Sequence, residues 1–161
     1  MVKVVCSTVL SVPVEDVWEI LRDFNGFDVW HPAIEVSQIE RGYTPDRVGC
    51  IRKFRLADGS ELREQLLALS DEEKTLSYCL LDTPIPLFNY VSHISLLPVT
   101  DSNGTFWEWR GRFDVPKGSA DELTELVSKH IYNAGFQAIR KHFEKQLTIN
   151  NGRHNSSRVP E

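Results

Sequence analysis

The chain has 161 residues, 41% of them hydrophobic and 25% charged, which suits one globular domain with a real core and is too polar for a membrane protein. No apolar run approaches the ~20 residues of a membrane helix, and Met1-Val2-Lys3-Val4-Val5 leads straight into strand-like sequence with no signal-peptide pattern, so the expected location is cytoplasmic. A net charge of -5 argues against nucleic acid as a partner, because phosphate binding needs a basic face.

Residues Val2 to Val12 alternate and are rich in Val, Thr and Ser, the pattern of a first strand. Pro13 suits the first turn of a helix, and Val17, Trp18, Leu21 and Phe24 then recur at helical spacing behind Glu15 and Asp16. Asn25-Gly26 interrupts it, and Phe27 to His31 forms a short second helix stopped by Pro32. Six strands follow, at about Ile34 to Arg41, Gly49 to Leu56, Ser60 to Leu69, Thr75 to Leu81, Tyr90 to Val99 and Thr105 to Val115. Asp58-Gly59, Asp71 to Lys74 and Asp101 to Gly104 are hairpin turns by composition, so the strands make an antiparallel meander.

From Ala120 to about Gln146, Leu123, Val127, Ile131, Ala134, Gly135, Ala138 and Phe143 fall mainly along one stripe of an amphipathic helix. Residues 148–161 are polar and aperiodic and read as a disordered tail, leaving one domain over 1–147. A sheet with one apolar face needs a cover, and only the last helix is large enough to supply it. The expected fold is α+β: a seven-stranded antiparallel sheet gripping a long C-terminal helix, with short helices after the first strand.

The third and fourth strands carry the most informative residues. Side chains alternate with period two, so Arg52 shares a face with Cys50, Phe54 and Leu56, and Glu64 shares one with Leu62, Leu66 and Ala68. A three-residue loop, Ala57-Asp58-Gly59, with Gly59 left-handed, pairs Leu56 with Ser60, Phe54 with Leu62, and Arg52 with Glu64. A two-residue loop would put the two apolar sets on opposite faces. The pair has two readings. It is a partly buried ion pair that holds the hairpin, or a binding and proton-transfer group kept inside the sheet at a desolvation cost that an apolar pair would not incur.

The same counting puts Tyr78, Tyr90, Ser92 and Ile94 on inner faces, with Trp109, Gly111 and Phe113 on the last strand. Ordinary core packing accounts for each of them alone, although tyrosine hydroxyls among apolar residues also suit a pocket. Gly135 inside a helix costs about 1 kcal/mol and signals a close approach or space left for a ligand. Thr83 to Phe88 reads as a lid over the cavity mouth or as a rigid packed loop.

Cys6, Cys50 and Cys79 are odd in number and far apart, which fits free, largely buried thiols in a reducing compartment. His31, His93, His130 and His142 make no metal-ligand spacing with one another or with the cysteines, so no metal is expected. No phosphate loop, nucleophile elbow or dinucleotide fingerprint is present, and no cofactor is expected.

Val17-Trp18, Trp30-His31-Pro32, Val48-Gly49-Cys50-Ile51-Arg52, Asp58-Gly59, Leu62 to Leu67, Tyr78, Asn89-Tyr90, Pro98-Val99-Thr100, Trp109 and Gly135 stand in an order that resembles the polyketide cyclase/dehydrase-like branch of the START and birch-pollen-allergen superfamily. The resemblance covers about Val2 to Glu144 and implies the helix-grip fold independently of the pattern. Around the hairpin the chain is also similar to the lachrymatory-factor synthases, and that resemblance puts their catalytic arginine and glutamate on Arg52 and Glu64. It is similar to the abscisic-acid receptors as well, whose pocket glutamate and tyrosine would fall on Glu64 and Tyr90. The receptors' long gate is replaced here by the short turn Ala57 to Ser60, and their ligand-anchoring lysine has no counterpart, which speaks against hormone reception.

The leading expectation is a binder of a small, mostly apolar metabolite, in a pocket made by Arg52, Phe54, Leu62, Glu64, Leu66 and Tyr78 together with Tyr90, Ser92, Trp109, Ile131 and Gly135. The alternative is a cofactor-free cyclase, dehydratase or isomerase, with Glu64 as acid or base and Arg52 stabilising an oxyanion. A third reading is a non-catalytic interaction module that uses the loop ending at Leu87 and Phe88.

Overall fold

The computed structural model describes residues 1–155, with side chains through Gln146. Alternating sequence makes seven strands: β1 (Val2–Leu10), β2 (Ile34–Ile39), β3 (Ile51–Leu56), β4 (Glu61–Ser70), β5 (Thr75–Asp82), β6 (Phe88–Val99) and β7 (Gly104–Asp114). They form one antiparallel sheet in the order β1-β7-β6-β5-β4-β3-β2, so the meander runs from β2 to β7 and β1 closes against β7. The second strand stops at Ile39 rather than Arg41, because a tight turn over Glu40–Gly42 puts Arg41 at φ 59°.

Between β1 and β2 lie α1 (Val14–Leu21) and α2 (Phe27–Trp30). The first buries Val17, Trp18 and Leu21, and three hydrogen bonds to the Asp71 carboxylate fasten its end to the β4–β5 turn. Trp18 Nε1 donates to Asp71 Oδ1 at 2.8 Å, and Arg22 Nε donates to the same oxygen at 2.7 Å. The Arg22 hydrogen bond comes first among the causes that pull the Asp71 carboxyl down to about 2. This latch fixes Phe24, which is buried just past the helix.

The β3–β4 hairpin has the register that its turn chemistry dictates. Gly59 takes φ +85°, Leu56 N–H donates to Ser60 O at 2.9 Å, and Phe54 pairs with Leu62 and Arg52 with Glu64. Both charged side chains therefore enter the buried face.

The long helical segment covers that face, but it is not α-helical throughout. It runs as α3 (Ala120–Glu125), a π-helical stretch (Leu126–Asn133) and α4 (Ala134–Asn155). Hydrogen bonds from i to i+5 in the middle stretch add a residue to the turn. Leu123, Val127, Gly135 and Ala138 of the expected stripe are buried, but Tyr132, Phe136 and Ile139 take the deepest positions where a uniform 3.6-residue period puts Ile131 and Ala134. Ile131 is only half-buried. The last helix continues past Gln146, where the apolar stripe ends, and residues 156–161 of the expected tail lie outside the described residues.

Trp107, Trp109, Tyr132 and Phe136 form the aromatic centre of the core. The Trp109 ring is stacked between Trp107, with centroids 5.6 Å apart, and Tyr132, at 4.5 Å. Full burial of one large apolar side chain contributes on the order of 1.5–3 kcal/mol. The glycine in α4 has its explanation here, since a Cβ built on Gly135 would stand 2.7 Å from Trp109 Cζ3. In an open helix Gly→Ala would stabilise by about 1 kcal/mol. Here Gly135→Ala is expected to destabilise by about 1 kcal/mol net, because overpacking a fixed ring costs ~1–3 kcal/mol. Urea unfolding checks the sign, and a stabilised variant would mean that Trp109 is free to move.

Cys6, Cys50 and Cys79 are free thiols, Cys50 buried and the other two half-buried. Among the described residues no group of His, Cys, Asp and Glu is arranged to hold a metal ion, and no helix is long and apolar enough to cross a membrane.

Candidate functional site

Between the inner face of the sheet and the π-helical stretch lies a cavity of about 210 Å³. Phe54, Leu62 and Leu80 supply apolar walls from the sheet, and Leu126 and Ile131 close it from the helical side. Ile85 and Leu87, from the β5–β6 connection, turn inward to complete the wall, while the neighbouring Phe88 is exposed. The polar lining consists of Glu64, Tyr78, Tyr90, His31 and the exposed His130.

Arg52 is not in the wall. It sits behind Glu64, and both side chains are buried. Arg52 Nε and Nη2 donate to Glu64 Oε2 at 2.8 and 2.5 Å, and Nη1 donates to the Phe24 carbonyl at 2.7 Å. Aromatic rings enclose the guanidinium carbon, with the centroids of Phe24 and Phe27 at 4.1 and 4.3 Å and that of Tyr78 at 5.2 Å. A delocalised, weakly hydrated cation suits such a cage better than an ammonium would. Burial pushes the Glu64 carboxyl up, and the charge and hydrogen bonds of Arg52 only partly offset this. Both arginine bonds fall on Oε2, so neither is made to the second carboxylate oxygen. The arrangement presents one carboxylate, fixed from behind, to an apolar space.

The tyrosines are set by a second network. Tyr90 Oη and Tyr132 Oη are 2.7 Å apart, and Ser92 Oγ lies 3.3 Å from the Tyr132 hydroxyl. Ser92 Oγ also accepts from Trp109 Nε1 at 2.8 Å and donates to Arg110 O at 3.1 Å. Burial pushes the Tyr78 and Tyr90 hydroxyls well above the usual phenol range, so both remain protonated.

A family model described as "Polyketide cyclase / dehydrase and lipid transport" matches residues 1–144. The chain belongs to this family. An uncharacterised protein from Bacillus thuringiensis is 30% identical, with a TM-score of 0.79, and the match covers 88% of this chain and 98% of that one. The protein XoxI from Bacillus cereus is 29% identical with a TM-score of 0.79, covering 89% of this chain and 96% of that chain. Zhui aromatase/cyclase from Streptomyces sp. R1128 is 14% identical, with a TM-score of 0.75 over 91% of this chain and 95% of that one, a likeness of fold alone. No curated protein matches the chain.

In this member of the polyketide cyclase/dehydrase and lipid-transport family, the residues singled out from the sequence divide into three groups. Phe54, Leu62, Glu64, Tyr78, Tyr90 and Ile131 meet in the cavity wall, and Arg52 backs Glu64. Leu66, Ser92, Trp109 and Gly135 lie in the surrounding core, where Ser92 and Trp109 hydrogen-bond to each other and Gly135 makes room for the Trp109 ring. Several residues around the site were not expected from the sequence, among them the apolar wall residues Leu80 and Leu126, and the polar Tyr132 and His31. Tyr132 reaches the buried hydroxyl cluster only because the π-helical stretch turns it inward. His31 follows α2, and Pro32 drives it into an extended conformation at φ -95°, ψ 115°. That His-Pro pair was the available signal, since the proline lifts the histidine out of the helix.

Proposed function

We propose that the chain binds a small, mostly apolar molecule in the cavity, with Glu64 as a polar anchor. The observation that carries this reading is a buried carboxylate in a mostly apolar wall, held by Arg52 from outside the cavity. A pair that served only to hold the hairpin would gain nothing from facing a void, whereas convergent polar groups in an apolar pocket are the usual make-up of a small-molecule site. Arg52 is a positioning residue in this reading, because its guanidinium bonds to Glu64 and the Phe24 carbonyl rather than reaching into the cavity.

A second reading, a cofactor-free cyclase, dehydratase or isomerase, draws on the raised Glu64 carboxyl. An acid or base is most effective when its pKa approaches the working pH. Turnover of a bound ligand that disappears in Glu64→Gln while binding survives would select this reading over simple carriage. The inward packing of Ile85 and Leu87 favours a wall over a partner-binding loop for that connection.

The test is a thermal-shift screen of small apolar ketones, phenols and hydrocarbons on wild type, Glu64→Gln and the cavity-filling variant Leu62→Trp. A ligand at ~100 times its Kd stabilises by about 2.7 kcal/mol, which raises Tm by roughly 5–10 °C in a domain of this size. Hits are expected to lose their shift in Leu62→Trp, and those that bond to the carboxylate should weaken about tenfold in Glu64→Gln. Hits indifferent to both substitutions would place binding elsewhere and overturn the proposal.

A further inference from the structure

His31 lines the cavity and is 6% exposed. One side of its ring is engaged: it lies on Phe27 with centroids 5.4 Å apart, and Nδ1 accepts from the Ala33 N–H at 3.3 Å. A ring nitrogen that accepts cannot carry the proton, so in the neutral imidazole the proton is on Nε2. Burial first, and the charge of Arg52 second, push the His31 pKa down and keep the ring neutral. Nε2 is buried and meets no hydrogen-bond partner among the described residues. A buried donor left without an acceptor is costly, and native structures retain few of them.

The charges around the cavity limit what can satisfy that donor. No Lys or Arg lines it among the described residues, and the nearby cation, Arg52, is already bonded to Glu64. An incoming carboxylate would leave water, find no Lys or Arg free to pair with it and face the Glu64 carboxylate. A hydrocarbon would fit the apolar wall but leave the Nε2–H unpaired, and sites built around a buried polar group discriminate most strongly against ligands that cannot bond to it.

We propose that His31 is the specificity-determining donor of this cavity: its Nε2–H binds the acceptor atom of an uncharged ligand and selects such ligands over hydrocarbons and carboxylates of the same size. This rests on the reading that the cavity binds small molecules. The His31 ring positions and selects, and Glu64 remains free to accept a hydrogen bond from the same ligand.

The experiment uses three probes of similar shape, acetophenone, ethylbenzene and benzoate, titrated by calorimetry into wild type, His31→Phe and His31→Gln. Acetophenone is expected to bind wild type about tenfold more tightly than ethylbenzene, the discrimination of roughly one hydrogen bond to a buried donor, with benzoate weakest. His31→Phe keeps the stack on Phe27 and removes the donor, so the preference for acetophenone should vanish while ethylbenzene binds as before or better. His31→Gln restores an N–H at similar reach and should restore the preference. Unliganded His31→Phe should melt no lower than wild type, whereas a histidine kept for stability would lower Tm on replacement. A preference that persists in His31→Phe, or benzoate binding as tightly as acetophenone, would overturn the assignment and leave cavity binding intact. If none of the three probes binds wild type, cavity binding itself fails, and this inference with it.

Discussion

Arg52→Met is expected to destabilise the fold by about 3–5 kcal/mol, the cost of leaving a buried carboxylate without its partner. At ~2–4 °C per kcal/mol for a chain of this length, Tm should fall by roughly 6–20 °C. Methionine is the informative replacement, because a flexible thioether still fills the space between Phe24, Phe27 and Tyr78. What disappears is the charge, together with the hydrogen bonds to Glu64 and to the Phe24 carbonyl. The double variant Arg52→Met/Glu64→Leu removes both charges and should recover most of the loss, since apolar replacement of a buried ion pair is often neutral or stabilising. Urea unfolding of the four proteins of the cycle measures the coupling. A single variant within 1 kcal/mol of wild type would show that Glu64 does not depend on Arg52. A double variant that is stable and also loses every ligand would separate the two roles of the pair, since the fold tolerates its removal and the cavity does not.

The hairpin was legible in the sequence because two independent constraints agreed. Period-two alternation fixed the faces of β3 and β4, and Asp58-Gly59 fixed the loop, so the Arg52–Glu64 register follows from local chemistry. The element order and the covering helix were legible for a similar reason, each being the product of a strong repeating pattern. The depth of Arg52 was not. Alternation shows which face a residue takes, but not that Phe24, which belongs to the segment after α1, would place its carbonyl against the guanidinium. The helix stripe held at Leu123, Val127, Gly135 and Ala138 but misassigned its middle positions, because the π-helical stretch shifts the phase there. Tyr132 and Phe136 then replace Ile131 and Ala134 as deeply buried residues. For His31 the following proline signals that the ring leaves the helix, but its unmet hydrogen bond is a property of its surroundings that no spacing in the chain encodes.

Gly111→Ala is the second variant with a large expected effect, a loss of about 1–3 kcal/mol from overpacking. The Tyr132 hydroxyl stands against Gly111 where a side chain would begin. Neither neighbour can yield easily. Gly111 is held in β7 between Val4 of β1 and Ser92 of β6, and the Tyr132 ring is stacked on Trp109 with its hydroxyl bonded to Tyr90. The clash is with one oxygen atom, which makes the cause separable from the general cost of altering a central strand. Tyr132→Phe removes that oxygen, so Gly111→Ala should cost less than 1 kcal/mol in the Tyr132→Phe background, where a β-strand in fact favours alanine slightly over glycine. Equal losses in the two backgrounds would mean that the strand backbone, not the hydroxyl, enforces glycine. Because Tyr90 lines the cavity and bonds directly to Tyr132, the Gly111→Ala cycle also tests whether the hydroxyl cluster sets the wall. Displacement of Tyr132 should weaken ligand binding in Gly111→Ala, and part of that affinity should return when the tyrosine becomes phenylalanine.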